Sequence, residues 1–384
     1  MQTVETPSYT YLARAPGRVN LLGEHVDYNG GQALPAAIDR HVDLFFSPRT
    51  DRQVRVHADN LQQQVVFSLD GLEKRAALDG AALPGWALYP AGVAYTLRQA
   101  GLALSGLDCR FTSDIPMGSG LSSSAAVELA FAAAWNHLAG QPLDPTRLAV
   151  LCQQAENRYV GVNCGIMDQF SIARGQAGYA LLLDTATLQY RPVPLPPAAA
   201  IVIADSGERR SLNHSGYNER RAGCEQALVL LSRHLPGIRT LSDVSPQQLE
   251  SLSGLLPDPI GGYARHVVSE CERVRKAVPL LEKQDAAGFG QLMFECHNSL
   301  RDYYRVSTPA LDTLVDLASH APGCLGARLT GAGFGGCTVN LVREADVQPF
   351  IRQIKTGYLA ATGKEAAVYP CHASVGVRVS SINP

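Results

Sequence analysis

The run Pro116-Met117-Gly118-Ser119-Gly120-Leu121-Ser122-Ser123-Ser124 constrains this chain more than any other stretch, because it leads straight into a helix-forming segment. That segment, AAVELAFAAAWNHLAG, is built from strong helix formers and stops at Gly140. A glycine-rich turn is therefore delivered into the start of a long helix. Glycine lets backbone approach a ligand closely. Amides at a helix start, helped by the helix dipole, bind anions. The three serines add hydroxyls for phosphate oxygens or Mg²⁺. An ordinary serine-capped helix after a turn fits the same residues. Two familiar phosphate loops do not fit. GxxxxGK(S/T) is absent, and Ser123 stands where the third Rossmann glycine belongs. A GxGxxG match does occur at Gly331-Ala332-Gly333-Phe334-Gly335-Gly336, but it runs into strand-like CTVNLV rather than a helix, which argues against a dinucleotide site. It reads as a tight loop between two strands, either a second wall of a nucleotide site or a crowded turn.

At 384 residues the chain suggests two domains. Apolar residues at 46% allow a proper core, and a net charge of −2 gives no general electrostatic claim on nucleic acid or an anionic membrane. The nine cysteines form no CxxC pair, which leaves zinc ribbons unsupported and suits reduced thiols in a cytoplasmic protein. No signal-like apolar segment opens the sequence, and stretches such as Leu129–Trp135 are too short to span a bilayer. Asn213-His214-Ser215 is read as a chance sequon. The first 60 residues read as strands and turns, with Asn29-Gly30 expected to take positive φ at both positions of a hairpin turn. Helices are expected from Pro145 to Val160 and from about Gly165–Asp168 onward, then around Asn218–Leu235, Tyr263–Lys283 and Ala286–Leu300. Strands are expected at Gly175–Asp184, Ala200–Ala204, Ala327–Leu329, Cys337–Val342 and Val375–Val379, with Val193–Pro197 as an irregular connection. The expected architecture is two α+β lobes meeting near residue 178.

Arg18-Val19-Asn20-Leu21-Leu22-Gly23-Glu24-His25-Val26-Asp27 gathers polar groups beside an apolar strand. Glu24, His25 and Asp27 offer the paired acceptors and donors that sugar hydroxyls need, and Arg18 could neutralise phosphate charge. A solvated turn with one salt bridge is the plainer reading. In Cys164-Gly165-Ile166-Met167-Asp168-Gln169-Phe170, Asp168 sits just inside a helix start, either as a proton acceptor for a substrate hydroxyl or as a cap. Glu156, twelve residues earlier, is either a Mg²⁺ ligand or an exposed helix carboxylate.

These motifs occur together in a known pattern. APGRVNLLGEHVDYNGG (Ala15–Gly31) closely resembles the signature of the galactokinase family. PMGSGLSSSAA (Pro116–Ala126) resembles the phosphate loop of the wider GHMP kinases, and LTGAGFGGC (Leu329–Cys337) their third motif. The order and distances are family-like, and the resemblance extends from about Tyr11 to Val379. It implies a two-lobed α+β GHMP fold, residues 1–178 and 179–384, with the active site between the lobes. It implies ATP-dependent phosphorylation of the C1 hydroxyl of α-D-galactose, with Mg²⁺, by a cytoplasmic protein expected to be a monomer.

By matching position, Glu24, His25, Val26, Asp27, Gly165 and Tyr217 would bind the sugar, and Asp168 and Arg18 would be catalytic. Gly118, Ser119, Gly120, Leu121, Ser122, Ser123 and Ser124 would cradle ATP, with Trp86 and Tyr89 near the adenine. Ser124 and Glu156 would hold Mg²⁺, and Gly333–Gly336 would approach from the second lobe. Asp168 would act as a general base, or else orient the hydroxyl while Arg18 stabilises charge. A kinase for N-acetylgalactosamine or arabinose is the near alternative. A sugar- and ATP-binding sensor is the distant one, disfavoured by the retained Arg18, Asp168 and uninterrupted loop.

Overall fold

The structure, a computed structural model, describes residues 9–116, 118–140, 142–208 and 214–382. Asn213 of the sequon and Met117 of the glycine loop lie outside these. Alternating side chains make the first sheet. In β4 (Gln53–Ala58), Val54, Val56 and Ala58 point inward while Arg55 points out. Its partners are β1 (Tyr11–Asn20), β3 (Pro35–Arg49), β5 (Gln63–Ser68), β6 (Gly106–Ser113) and β13 (Arg378–Ser381). The order is β13-β1-β3-β6-β4-β5, antiparallel except for the parallel β4–β6 pair. Packed with this sheet are α1 (Leu88–Gln99), α2 (Ser123–Leu138), α3 (Pro145–Gln154) and α4 (Met167–Arg174). The alanine-rich α2 is buried almost all round, because small side chains let it lie between β1 and β3 on one side and three helices on the other.

The second sheet, ordered β10-β11-β9-β12, joins β9 (Ala199–Asp205), β10 (Cys324–Leu329), β11 (Cys337–Arg343) and β12 (Ala367–Cys371), all antiparallel. A small third sheet holds β2 (Gln32–Ala33), β7 (Tyr179–Asp184) and β8 (Tyr190–Pro194). The remaining helices are α5 (His214–Ser232), α6 (Pro246–Ser251), α7 (Ile260–Glu282), α8 (Ala286–Asp302), α9 (Pro309–Ser319) and α10 (Val347–Thr362). One apolar core runs from the first sheet through α7 and α8, and a smaller one lies between the second sheet, α9 and α10.

Three local expectations change. Only Gly30 of the Asn29-Gly30 pair has positive φ, +70°, and the turn closes instead on the Val26 carbonyl, which accepts from the amides of Asn29 and Gly31 at 2.9 and 3.0 Å. The Pro145–Val160 helix turns π-helical over Ala155–Val160 before Gly161 ends it. Val193 and Pro194 belong to strand β8, because β7 supplies backbone partners for them.

Candidate active site

A cavity of about 420 Å³ opens where the ends of β1, α2 and α4 meet the loop between β10 and β11. Arg18, on β1 and only 4% exposed, reaches Asp168 Oδ1 with Nε at 2.8 Å and Nη2 at 2.7 Å. Its Nη1 donates to the Gly120 carbonyl at 2.5 Å. Ser122 Oγ donates to the other oxygen of Asp168. The carboxylate is thus fixed at both oxygens, each of which retains acceptor capacity. Ser122 holds a left-handed φ of +59°, uncommon for a side-chain-bearing residue, between Gly120 at +87° and the first turn of α2. Ser122, at the N-cap of α2, gives its hydroxyl to Asp168 rather than to the leading amides of the helix, a helix start of the kind that binds anions. Gly118, Gly120, Ser122, Ser123 and Ser124 all line the cavity.

At the other end lie Glu24, His25 and Asp27, with Tyr217 and Gly165. Glu24 pairs with the fully buried Arg328, and its Oε2 accepts from the Gly331 amide at 3.0 Å. His25 has φ +60°. Its Nε2 meets the Ala332 carbonyl at 3.3 Å, so Nε2 carries hydrogen, and Nδ1 accepts from the Tyr28 hydroxyl at 2.9 Å. Asp27 sits against Gly165, where a Cβ would fall inside the Asp27 carboxylate. Burial, then the charges of Asp168 and Glu24, push Asp27 up to about 7.

Glu156 is buried, not exposed, because the π-turn carries it inward. Burial, then Asp168, push it up to about 7. Gln169 Nε2 donates to Glu156 at 2.7 Å and to Glu128 at 3.0 Å. Burial, then the charge of Glu156, raise Glu128 well above the ordinary range. Among the described residues Glu128 Oε1 and Gln169 Oε1 have no hydrogen-bond partner. Among the described residues no group of three or more His, Cys, Asp or Glu side chains could hold a metal. Ser124 and Glu156 nevertheless line the same cavity, and one hydroxyl plus one carboxylate suits Mg²⁺, which binds through few protein oxygens and completes its shell with phosphates and water.

The structure brings together all the expected residues except a few. Val26 lies in the core, facing Gly31, and contributes its carbonyl to the turn. Leu121 is buried, with its carbonyl taken by the Arg18 amide at 3.2 Å, and buried Ser119 donates to the Pro116 carbonyl at 2.6 Å. None of the three lines the cavity, and neither does Trp86, whose Nε1 donates to Gln63 Oε1 at 2.6 Å; Tyr89 does. From the third motif Gly331–Phe334 form the wall, while Gly336 instead bonds to Ser206 and Glu208.

Several supporting residues escape sequence reading. Glu270 on α7 accepts from the Gly23 amide at 2.7 Å, Arg273 Nε at 2.6 Å and Cys296 Sγ at 3.0 Å. Burial would push it up, but Arg273, His266 and Arg328 together bring it to about 2. His266 Nε2 donates to the Glu24 carbonyl at 3.1 Å. The available signal was positional: Tyr263, His266, Glu270 and Arg273 fall at helical spacing on the buried face of α7.

Comparison with known proteins identifies the family. The galactokinase galactose-binding signature matches residues 3–48, and the N-terminal and C-terminal GHMP kinase domains match 89–176 and 277–359. The galactokinase of Roseiflexus sp. (strain RS-1) is 49% identical over 366 residues, covering 95% of this chain and 92% of that one. That of Clostridium beijerinckii is 40% identical over 369 residues, covering 95% and 93%. The crystal structure of Lactococcus lactis galactokinase complexed with galactose superposes with a TM-score of 0.91 at 34% identity, covering 98% of this chain and 96% of that one. Methanococcus jannaschii mevalonate kinase, at a TM-score of 0.67 and 19% identity, shares the fold. With the galactose-binding signature matched and relatives 40–49% identical over more than nine-tenths of both chains, the chain belongs to the galactokinase family of the GHMP kinases.

Proposed function

We propose that the chain transfers the γ-phosphoryl group of ATP to the C1 hydroxyl of α-D-galactose, giving galactose 1-phosphate and ADP. The observation that carries this reading is one cavity in which the Arg18–Asp168 pair stands between the glycine–serine loop and the Glu24–His25–Asp27 turn. Family membership and the galactose in the Lactococcus lactis relative support the sugar.

In this reading Glu24, Asp27 and Tyr217 hold the sugar hydroxyls. His25, with both ring nitrogens engaged by Tyr28 and Ala332, shapes the pocket wall. Loop amides and Ser122–Ser124 hold the phosphates, with Tyr89 towards the base. Asp168 orients the C1 hydroxyl and takes its proton as the O1–P bond forms and the bridge to ADP breaks. Arg18 fixes that carboxylate and offsets charge on the transferring group. Ser124 and Glu156 would hold Mg²⁺, which when bound supplies charge neutralisation at the phosphates. The same reading divides the chain into 1–178 and 179–384, the last strand β13 returning to the first sheet. It acts as a monomer in the cytoplasm, whose reducing conditions suit a chain of nine cysteines with no CxxC pair. Among the described residues no helix is long and apolar enough to cross a membrane.

The test is ADP release with Mg-ATP across galactose, N-acetylgalactosamine, arabinose, glucose, mevalonate and homoserine. Turnover on galactose above all others is expected. Preference for another substrate would break the sugar assignment while leaving the phosphate site intact.

A further inference from the structure

A second cavity, of about 450 Å³, shares no lining residue with the first. It lies between the C-terminal half of α1, α3, the π-turn at Ala155–Val160 and the short turn Leu72–Lys74. Arg75, Arg147 and Arg158 converge on it. Elsewhere arginines find carboxylates, as in Arg14–Asp43, Arg49–Asp51, Arg110–Asp59 and Arg174–Asp144. Among the described residues these three form no ion pair, and the lining carboxylate, Glu73, is taken by Arg98. Three like charges around one concavity repel one another and build a local positive potential.

Below them the lining is aromatic. Tyr159 is buried, its hydroxyl donates to the Leu72 carbonyl at 2.6 Å, and its ring lies 5.5 Å from that of Tyr95. The Arg75 guanidinium stands 4.9 Å from the Tyr159 ring centre. Gln99 and Gln154 line the same space, and their side chains make no hydrogen bond to the described residues.

We propose that this cavity is a second ligand site, for a phosphate-bearing compound with a flat ring, in class a nucleoside monophosphate. Guanidinium forks match phosphate oxygens, the Arg75 plane laid over the buried Tyr159 ring and the partly exposed Tyr95 beside it make a flat wall for a base, and the two amides supply hydrogen bonds at its edge. Two elements connect the site with the first cavity. The helix α1 carries Tyr89 at one end and Gln99 at the other, and the π-turn carries Glu156 as well as Arg158 and Tyr159.

The test is calorimetric titration of the full chain with uridine 5′-monophosphate, after saturation with galactose and Mg-ADP to fill the first cavity. One further site is expected, weakening as salt rises. Its affinity should fall at least about tenfold in the Arg147→Ala/Arg158→Ala double variant, as loss of charge-assisted hydrogen bonds implies. Both residues are exposed, so that variant should keep the parent melting temperature. Absence of binding at millimolar nucleotide, unchanged affinity in the double variant, or equal affinity for ribose 5-phosphate would overturn the proposal.

Discussion

At the scale of single residues, Asp168 carries the sharpest prediction. Asp168→Ala removes the proposed proton acceptor and the anchor of Arg18, and turnover should fall by about 10²–10⁴-fold with ATP still bound. Asp168→Asn keeps an oxygen acceptor for Arg18 but cannot take a proton. If proton transfer matters, it should be nearly as slow as the alanine variant; if Asp168 only orients, it should recover much of the rate. Steady-state ADP release with calorimetric ATP binding separates the two. Gly165 makes a second case. A methyl group there would collide with the Asp27 carboxylate, so Gly165→Ala should raise the galactose KM strongly and move the ATP KM little. Equal changes in both constants would place Gly165 outside the sugar end.

At the scale of elements, the sugar-side turn is held in place by buried charge. Arg328 on β10 donates to the Asn20 carbonyl at 2.7 Å and pairs with Glu24, tying the end of β1 to the second sheet. Arg328→Met leaves Glu24 buried without a counter-charge and should cost about 3–5 kcal/mol in chemical denaturation. Adding Glu24→Gln should restore much of that stability while leaving sugar binding impaired. A double variant no more stable than the single one would mean that Arg328 acts through packing. The loop-and-helix unit at 116–138 was legible because glycine placement and serine runs are local in the chain, whereas Arg18 and Asp168, 150 residues apart, were joined in one role only through the family resemblance. Arg328 and Glu270 were not legible, since their partners lie 304 and 247 residues away and only folding brings them together. The outer helices α9 and α10 and strands β6 and β12 were passed over for a related reason. Their apolar faces become informative once the sheets they cover are known.

At the scale of the whole molecule, the active site sets a cost on the empty fold. Asp27 and Glu156 are both pushed up to about 7, by burial first and by neighbouring acids second. An acid whose folded pKa lies above its unfolded value binds more protons folded than unfolded between those two values. Stability therefore falls as pH rises from about 4 to about 7 and stays low above that. Glu270 works the other way, held at about 2, so its contribution is lost only as pH drops toward 2 and is constant near neutrality. His266, lowered by burial from 6.5 to about 4, is neutral in the folded chain but charged in the unfolded one below about 6.5, so its contribution rises with pH over that window and offsets part, but not all, of the fall from the two acids. The empty protein should thus melt a few degrees higher at pH 5.5 than at pH 8. Asp27→Asn removes one of the penalties, and at pH 8 it should stabilise the fold by about 1–3 kcal/mol, a figure reduced because the open cavity lets water screen the charge, while abolishing galactose turnover. If, as proposed, galactose binds at Asp27 and Mg-ADP at Glu156, each ligand favours the charged acid, so their stabilisation of the wild type should grow from pH 5.5 to pH 8. In Asp27→Asn the galactose part of that growth should vanish. Thermal melts of both proteins, with and without ligands, at the two pH values test the argument. A wild type that gains stability on going to pH 8 while empty would show that these carboxylates do not oppose folding.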